Sequence, residues 1–345
     1  MDTSRLTAYS DVATSLALRG DVELGELVEQ ADPLGSGIGG RSALLAVAGT
    51  RVFVKRVPLT DRELLPENVR STANVFGLPA FFNYGIGSPG FGAWRELATH
   101  IMTTNWVIAG QYPGFPLMYH WRVLPDTPPS LPEIMSDVEQ TIAYWGGGQE
   151  VRERIEALQR SSASLVLFLE YFPHNLSDWL GTQLRAGDEA ANAACELVER
   201  ELEAGVSFMN ANDLLHFDAH FLNLLTDGRR IYFADFGLAI SSRFDLSPDQ
   251  ADFFHRHRTY DRCHTRTHFV HWLASALYGR KWGDHDDLVR AWAGGEPPAG
   301  VPEAAAAILT RHSALALVMD NFYRRLQKES RRTPYPQEEI DRLPA

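Results

Sequence analysis

The sequence predicts an α+β protein with its strands gathered in the first half and its helices in the second. Three observations carry this. Apolar runs at residues 42–47 and 51–57 flank the turn Ala48-Gly-Thr50 and read as a β-hairpin. A further apolar run at residues 164–172 has the length of a strand. From about residue 186 the apolar positions recur at helical spacing instead, first over residues 189–209 and again after residue 247. A change of this kind near Pro173 marks a boundary between a strand-rich domain, residues 31–172, and a helical domain, residues 173–345.

Residues 1–30 precede the hairpin as an N-terminal extension that breaks each apolar stretch with charge. Residues 31–41 read as a glycine turn leading into the hairpin. Thr60-Asp-Arg-Glu63 is a capping box, in which hydroxyl and carboxylate satisfy two open amides, so a helix starts there and Pro66 limits it. The glycine-rich stretch 85–92 leads into a helix at residues 93–100, and residues 115–124 form another strand. Residues 126–162 carry helix formers on both sides of Gly146-Gly-Gly148 and are predicted as an inserted helical pair. Ser247-Pro-Asp-Gln250 is a second capping box, with proline at the first helical position. Ile308, Leu315, Met319, Phe322 and Leu326 give a C-terminal helix one apolar face, and the polar tail from Gln327 is expected to be exposed.

Composition narrows the function classes. A formal net charge of -12 at pH 7 repels phosphate backbones and anionic lipid, so neither nucleic acid nor membrane is the expected partner. The two cysteines, Cys195 and Cys263, form no C-x-x-C pair and no metal-ligand spacing. No run approaches the roughly 20 apolar residues that span a bilayer, and a cytoplasmic location is expected.

Chemistry enters at residues 35–40, Gly-Ser-Gly-Ile-Gly-Gly, a G-x-G-x-x-G pattern in which Gly35, Gly37 and Gly40 let backbone amides approach phosphate oxygens. An ordinary hairpin turn would carry the same glycines. Lys55 ends the apolar strand that follows, which brings an ammonium beside that loop. A buried ammonium needs a carboxylate, and Glu96 is the first candidate, with Glu63 the second. The densest block is His216-Phe-Asp-Ala-His-Phe-Leu-Asn223, followed by Asp235-Phe-Gly237 at the end of an apolar strand.

In this block the sequence resembles the protein-kinase-like superfamily, of the serine/threonine protein kinase type with some features of aminoglycoside and choline kinases. The family's H-x-D-x-x-x-x-N loop and D-F-G loop are matched in type, order and spacing by His216, Asp218, Asn223, Asp235 and Gly237. The resemblance spans roughly residues 34–280. It implies a two-lobed kinase-like fold binding ATP and Mg²⁺, with γ-phosphate transfer to an acceptor hydroxyl. It further implies that Asp218 takes the acceptor's proton, that Asn223 and Asp235 hold Mg²⁺, and that Lys55, paired with Glu96, holds the α- and β-phosphates under Gly35, Gly37 and Gly40. Residues 165–180 look like the family's strand into the hinge, with Leu169 as gatekeeper, the backbone of Glu170 and Phe172 at the adenine edge, and Asn175 or Asp178 near the ribose.

Departures from the family bear on the acceptor. Phe217 stands where protein kinases carry an arginine that answers activation-loop phosphorylation, so that switch is not expected here. His220, two beyond Asp218, is the residue that aminoglycoside and choline kinases carry, which favours a small acceptor. The helix capped by Ser247 begins soon after Asp235-Phe-Gly237 and no A-P-E follows, whereas the complete glycine loop favours a protein-kinase type. Both acceptor classes stay open, as do a pseudokinase that binds nucleotide without transfer and, more remotely, an adenylyl transferase. Residues 254–271 interleave His255, His257, His264, His268 and His271 with Arg256, Arg258, Arg262 and Arg266. The arginines are candidates for recognising an anionic acceptor, and the histidines read as solvated or core groups ahead of a zinc site. Residues 85–90 repeat G-x-G-x-x-G, but no acid lies at the distance a dinucleotide fold requires, so this loop reads as the approach to the helix bearing Glu96.

Overall fold

The computed structural model describes residues 3–37, 40–85, 87–128, 137–281 and 283–343. The protein is α+β and divides into two compact units, residues 1–171 with 235–251 and residues 172–234 with 252–345.

The first unit is built on a five-stranded antiparallel sheet in the order β1-β2-β3-β5-β4: β1 (Asp32–Gly37), β2 (Gly40–Val47), β3 (Thr50–Leu59), β4 (Met118–Pro125) and β5 (Ala163–Glu170). The expected hairpin is β2–β3, with Val47 opposite Thr50 and positive φ at Ala48 and Gly49, the turn whose twist matches that of the strands. β5 lies between β3 and β4 and is buried along nearly its whole length, which is why its sequence shows no alternation. Leu165, Leu167 and Leu169 pack there with Val57, Leu59, Trp94 and Leu97.

Residues 32–37, expected as turn, are instead a strand, paired with β2 from Asp32↔Leu44 to Gly37↔Gly40. Its glycines hide the strand signal because they contribute no side-chain alternation. Residues 1–30 hold two helices, α1 (Thr3–Ala17) and α2 (Asp21–Glu29); Val12, Leu16, Leu24 and Val28 are their buried positions. The capping box at Thr60 forms and opens α3 (Asp61–Leu64), and α4 (Ala93–Ile108) follows the glycine-rich loop, of which Ile86 lies outside the described residues. The inserted pair is α5 (Val138–Tyr144) and α6 (Gln149–Gln159); residues 129–136, also part of the predicted insertion, lie outside the described residues. The pair has its own core, in which Ile142, Trp145, Val151 and Ile155 close on Phe76, Phe82 and Phe91.

The second unit carries β6 (His174–Asn175), α7 (Leu176–Arg185), α8 (Asp188–Ala211), β7 (Leu214–Leu215), β8 (Leu224–Thr226) and β9 (Ile231–Phe233). Helices α9 (Pro248–Arg256), α10 (Tyr260–Tyr278), α11 (Asp286–Ala293), α12 (Glu303–Lys328) and α13 (Gln337–Asp341) follow. β6, β8 and β9 form a three-stranded antiparallel sheet, and α8, α10 and α12 pack together as the helical core. The tail beyond Gln327 is not simply exposed as its polarity led us to expect. Arg331 and Thr333 are buried, and the Tyr335 ring lies 4.9 Å from His257 with its hydroxyl 3.0 Å from Thr259. Among the described residues no helix is long and apolar enough to cross a membrane.

Candidate functional site

In the first unit the chemistry converges on Lys55. Its place on β3, opposite Ser42 on β2 and Leu167 on β5, puts its side chain within a buried layer, 8% exposed. Nζ donates to Glu96 Oε1 at 2.7 Å and to Asp235 Oδ1 at 2.8 Å, although 180 positions separate Lys55 from Asp235. Burial alone would lower the pKa of the ammonium, but the two carboxylates outweigh it and hold Lys55 above its ordinary value. Glu96 is pushed up by burial, Lys55 pulling it back down and Asp235 adding to the rise. One cation therefore serves two carboxylates, and the Asp235 side chain remains 41% exposed.

Glu63, the second candidate partner for Lys55, is used elsewhere. It closes the Thr60 capping box, accepts the N–H of Ala93 at the start of α4 at 3.0 Å, and pairs with Arg154 of α6 at 2.9 Å. Both side chains of that pair are buried, so the inserted helices supply the cation that lets a carboxylate sit under the first turn of the Glu96 helix. Arg154 was not legible as a site residue, because its partner lies 91 positions away.

Asp235-Phe-Gly237 is anchored on the same unit. Asp235 adopts φ 60, and Phe236 is fully buried with its ring 5.0 Å from His100, one turn along α4 from Glu96. Gly90 of the second glycine loop, at φ 68, approaches so closely that a Cβ there would meet the Gly237 carbonyl at 2.6 Å. Further along, Arg95 of α4 donates to Gln250 at 3.1 Å, and the capping box of Ser247 and Gln250 forms in both directions.

Of the predicted phosphate loop, Gly35 lies in β1 opposite Ser42, and Gly37 faces Gly40 across the β1–β2 pair. Ile38 and Gly39, at its tip, lie outside the described residues. Gly40, at φ 118, is required, since a Cβ there would collide with the backbone carbonyl of Arg56. Glu170 ends β5; its N–H donates to the Leu117 carbonyl at 2.8 Å, and its carboxylate is gripped by Arg5 of α1 through two bonds of 2.8 and 2.6 Å. The same guanidinium reaches the carbonyls of Pro113 and Phe115, so the N-terminal helix, unassigned by sequence reasoning, holds the end of the strand proposed to meet adenine.

In the second unit residues 216–223 form a loop tied by backbone hydrogen bonds. His216 Nε2 donates to the Ala234 carbonyl at 2.9 Å, which leaves Nδ1 to accept the Asp218 N–H at 3.3 Å. Asn223 Nδ2 bridges to the Asp218 carbonyl and to its Oδ2 at 3.0 and 3.1 Å, and His220 Nε2 stands 3.8 Å from Asp218 Oδ1. Asp218, His220 and Asn223 thus share one turn of chain. Phe217 takes φ 64 and stacks on Tyr260 at 4.5 Å and on Phe253 at 5.4 Å, so an aromatic stack fixes this position of the loop. Phe172, a predicted adenine contact, stacks on Tyr232 at 3.9 Å, and Asn175 caps α7 through the Asp178 N–H.

The residue that sequence reasoning missed here is Asp261. Fully buried at the start of α10, it accepts the N–H groups of His216 at 2.6 Å and Phe217 at 2.8 Å. Burial pushes it up to about 6 against the pull of those two bonds. The signal available was an acid standing alone inside the basic run. Three histidines of that run are tied into the fold: His257 Nδ1 meets the Phe253 carbonyl at 2.7 Å, His264 meets Tyr323 at 2.8 Å, and His271 meets Asp320 at 2.7 Å. Arg258 pairs with Asp213 and the Asn210 carbonyl, so its guanidinium is committed to the fold. Among the described residues no group of three or more His, Cys, Asp or Glu side chains is arranged to hold a metal. Asp235 and Asn223 each carry a hard oxygen of the kind Mg²⁺ takes, and Asn223 Nδ2 is engaged by Asp218.

Compared with known proteins, the chain matches no family model, and no curated protein matches its sequence.

Proposed function

We propose that the protein is a two-lobed, protein-kinase-like ATP phosphotransferase, of the serine/threonine kinase type. The observation that carries this reading is Lys55 bonded to both Glu96 and Asp235, at 2.7 and 2.8 Å. A fold has little reason to bury one ammonium with two carboxylates, one of them half open to solvent, unless a polyanion and a metal complete the balance. On this reading Lys55 binds the α- and β-phosphates of ATP and Glu96 aims it. Asp235 and Asn223 would hold Mg²⁺, which when bound neutralises phosphate charge. Asp218 accepts the proton of the acceptor hydroxyl as that oxygen bonds to the γ-phosphorus and the bridging oxygen leaves with ADP.

A second acceptor class, small hydroxylated molecules, is favoured by His220 at 3.8 Å from Asp218. Incubation with γ-labelled ATP and a cell extract, followed by separation of macromolecular from small products, divides the two classes. Label must move in either case. Asp218→Asn should lower transfer by about a thousandfold while nucleotide binding persists. Nucleotide binding with no transfer to any acceptor would make the protein a binding module, and label moving from α- but not γ-labelled ATP would mark adenylyl transfer.

A further inference from the structure

Asp261 is not the only residue through which α10 grips the loop carrying Asp218. Two turns further along the same helix, His268 Nε2 accepts the N–H of Phe221 at 3.2 Å, and its ring meets the Phe221 ring edge-on at 4.7 Å. The loop is thus held at both ends from one helix face, at His216 and Phe217 by Asp261 and at Phe221 by His268, with Asp218 between. Phe221 has its other backbone group taken as well, because its carbonyl accepts the Ser177 N–H at 3.3 Å. One turn beyond His268, Trp272 completes the face, its ring 5.8 Å from Phe221 and its Nε1 donating to the Ser177 hydroxyl at 2.8 Å.

We propose that His268 is a positioning residue for phosphoryl transfer, fixing the far end of the catalytic loop through the Phe221 amide so that Asp218 and Asn223 keep their mutual geometry. This rests on the reading of residues 216–223 as the catalytic loop. The bond to a backbone donor requires a lone pair on Nε2, hence a neutral ring protonated at Nδ1. Burial, with His264, His220 and His271 as neighbours, keeps the ring in that form. His220 and Asn223 flank the gripped amide, and the hydrogen bonds from His220 N to Asp218 O and from Asn223 N to His220 O pass any movement of Phe221 on to Asp218. Loss of the acceptor strands a buried N–H, and the loop must shift to find it another partner.

The test compares His268→Gln, whose amide oxygen falls where Nε2 sits, with His268→Leu, which has no acceptor. Hydrogen exchange at the Phe221 amide is read together with kcat and the KM for ATP. In His268→Leu, exchange at Phe221 should quicken by about tenfold or more and kcat fall by about ten- to a hundredfold, with the KM for ATP little changed. His268→Gln should restore both. Should the leucine variant not fold, His268→Asn, whose amide ends a bond too short, takes its place. Unchanged exchange and kcat in a folded His268→Leu would overturn the proposal, as would equal losses in the leucine and glutamine variants. Absence of transfer by the unaltered protein would remove the catalytic reading, and the proposal with it, whereas the exchange measurement separates that failure from a failure of the grip itself.

Discussion

The two units hold their candidate site groups in opposite ways. In the first, Lys55, Glu96 and Asp235 come from three distant segments and meet through their charges. In the second, Asp218, His220 and Asn223 come from one short loop whose shape is set by backbone hydrogen bonds and by Asp261 beneath it. A charge cluster depends on its one cation, since removing Lys55 leaves Glu96 buried without compensation. A backbone-bonded loop loses its ties one at a time.

That contrast is broken most severely at Lys55. Lys55→Met leaves Glu96 inside the core without its cation and removes the tether of Asp235, and should cost the first unit about 3–5 kcal/mol in denaturant unfolding. Glu96→Gln should cost less, because Asp235 still balances the ammonium. Equal, small effects from both would mean that the cluster is not held by charge.

This asymmetry also explains what could be read from the chain alone. The β2–β3 hairpin, the capping boxes at Thr60 and Ser247 and the start of α4 are decided by neighbours a few residues apart, so their signals are local. The motif residues of 216–223 were legible for the same reason. Asp261, Arg154, Arg5 and His268 were not, since each acts on a group far along the chain, and Asp261 and His268 bond to backbone, which leaves no complementary side chain to find. Lys55 with Glu96 was reached by elimination among acids, while the claim of Glu63 on Ala93 and Arg154 had no counterpart in the spacing.

Acidification probes the buried histidines of the second unit. Burial draws His257 down to about 4, the Phe253 carbonyl opposing and Arg256 adding to the fall. His257 therefore contributes stability above pH 6.5 that is lost as the pH falls through 4, by about 3 kcal/mol in full. His264, drawn down to about 3 by burial and by His220 and His216, acts in the same direction. Asp261 acts in reverse: raised to about 6, its share is complete below the ordinary carboxylate range and lost as the pH rises through 6. Unfolding free energy should accordingly fall between pH 6.5 and pH 4, and His257→Phe should flatten that slope. A slope left intact by this variant would place the acid sensitivity elsewhere.

Asp261→Asn sharpens the comparison at the loop. The amide keeps one oxygen for an N–H but turns its NH₂ toward the other, so one buried donor of His216 or Phe217 goes unmet. The expected loss is about 1–3 kcal/mol, together with disappearance of the opposing pH contribution near 6. A loss as large as that of Lys55→Met would show that the loop is as interdependent as the charge cluster.

The smallest effect belongs to the cap at Ser247. Its hydroxyl accepts the Gln250 N–H at 3.3 Å, and Gln250 Oε1 answers both the Ser247 N–H at 3.4 Å and Arg95 Nη2 at 3.1 Å. Ser247→Ala removes only the first of these and should cost about 1 kcal/mol in thermal unfolding. Gln250→Leu should cost more, because it also takes an acceptor from the buried guanidinium of Arg95, which lies beside Glu96 on α4. If the two variants cost the same, Arg95 draws nothing from Gln250, and the segment that begins with Asp235 depends on Lys55 and the buried Phe236 for its hold on the Glu96 helix.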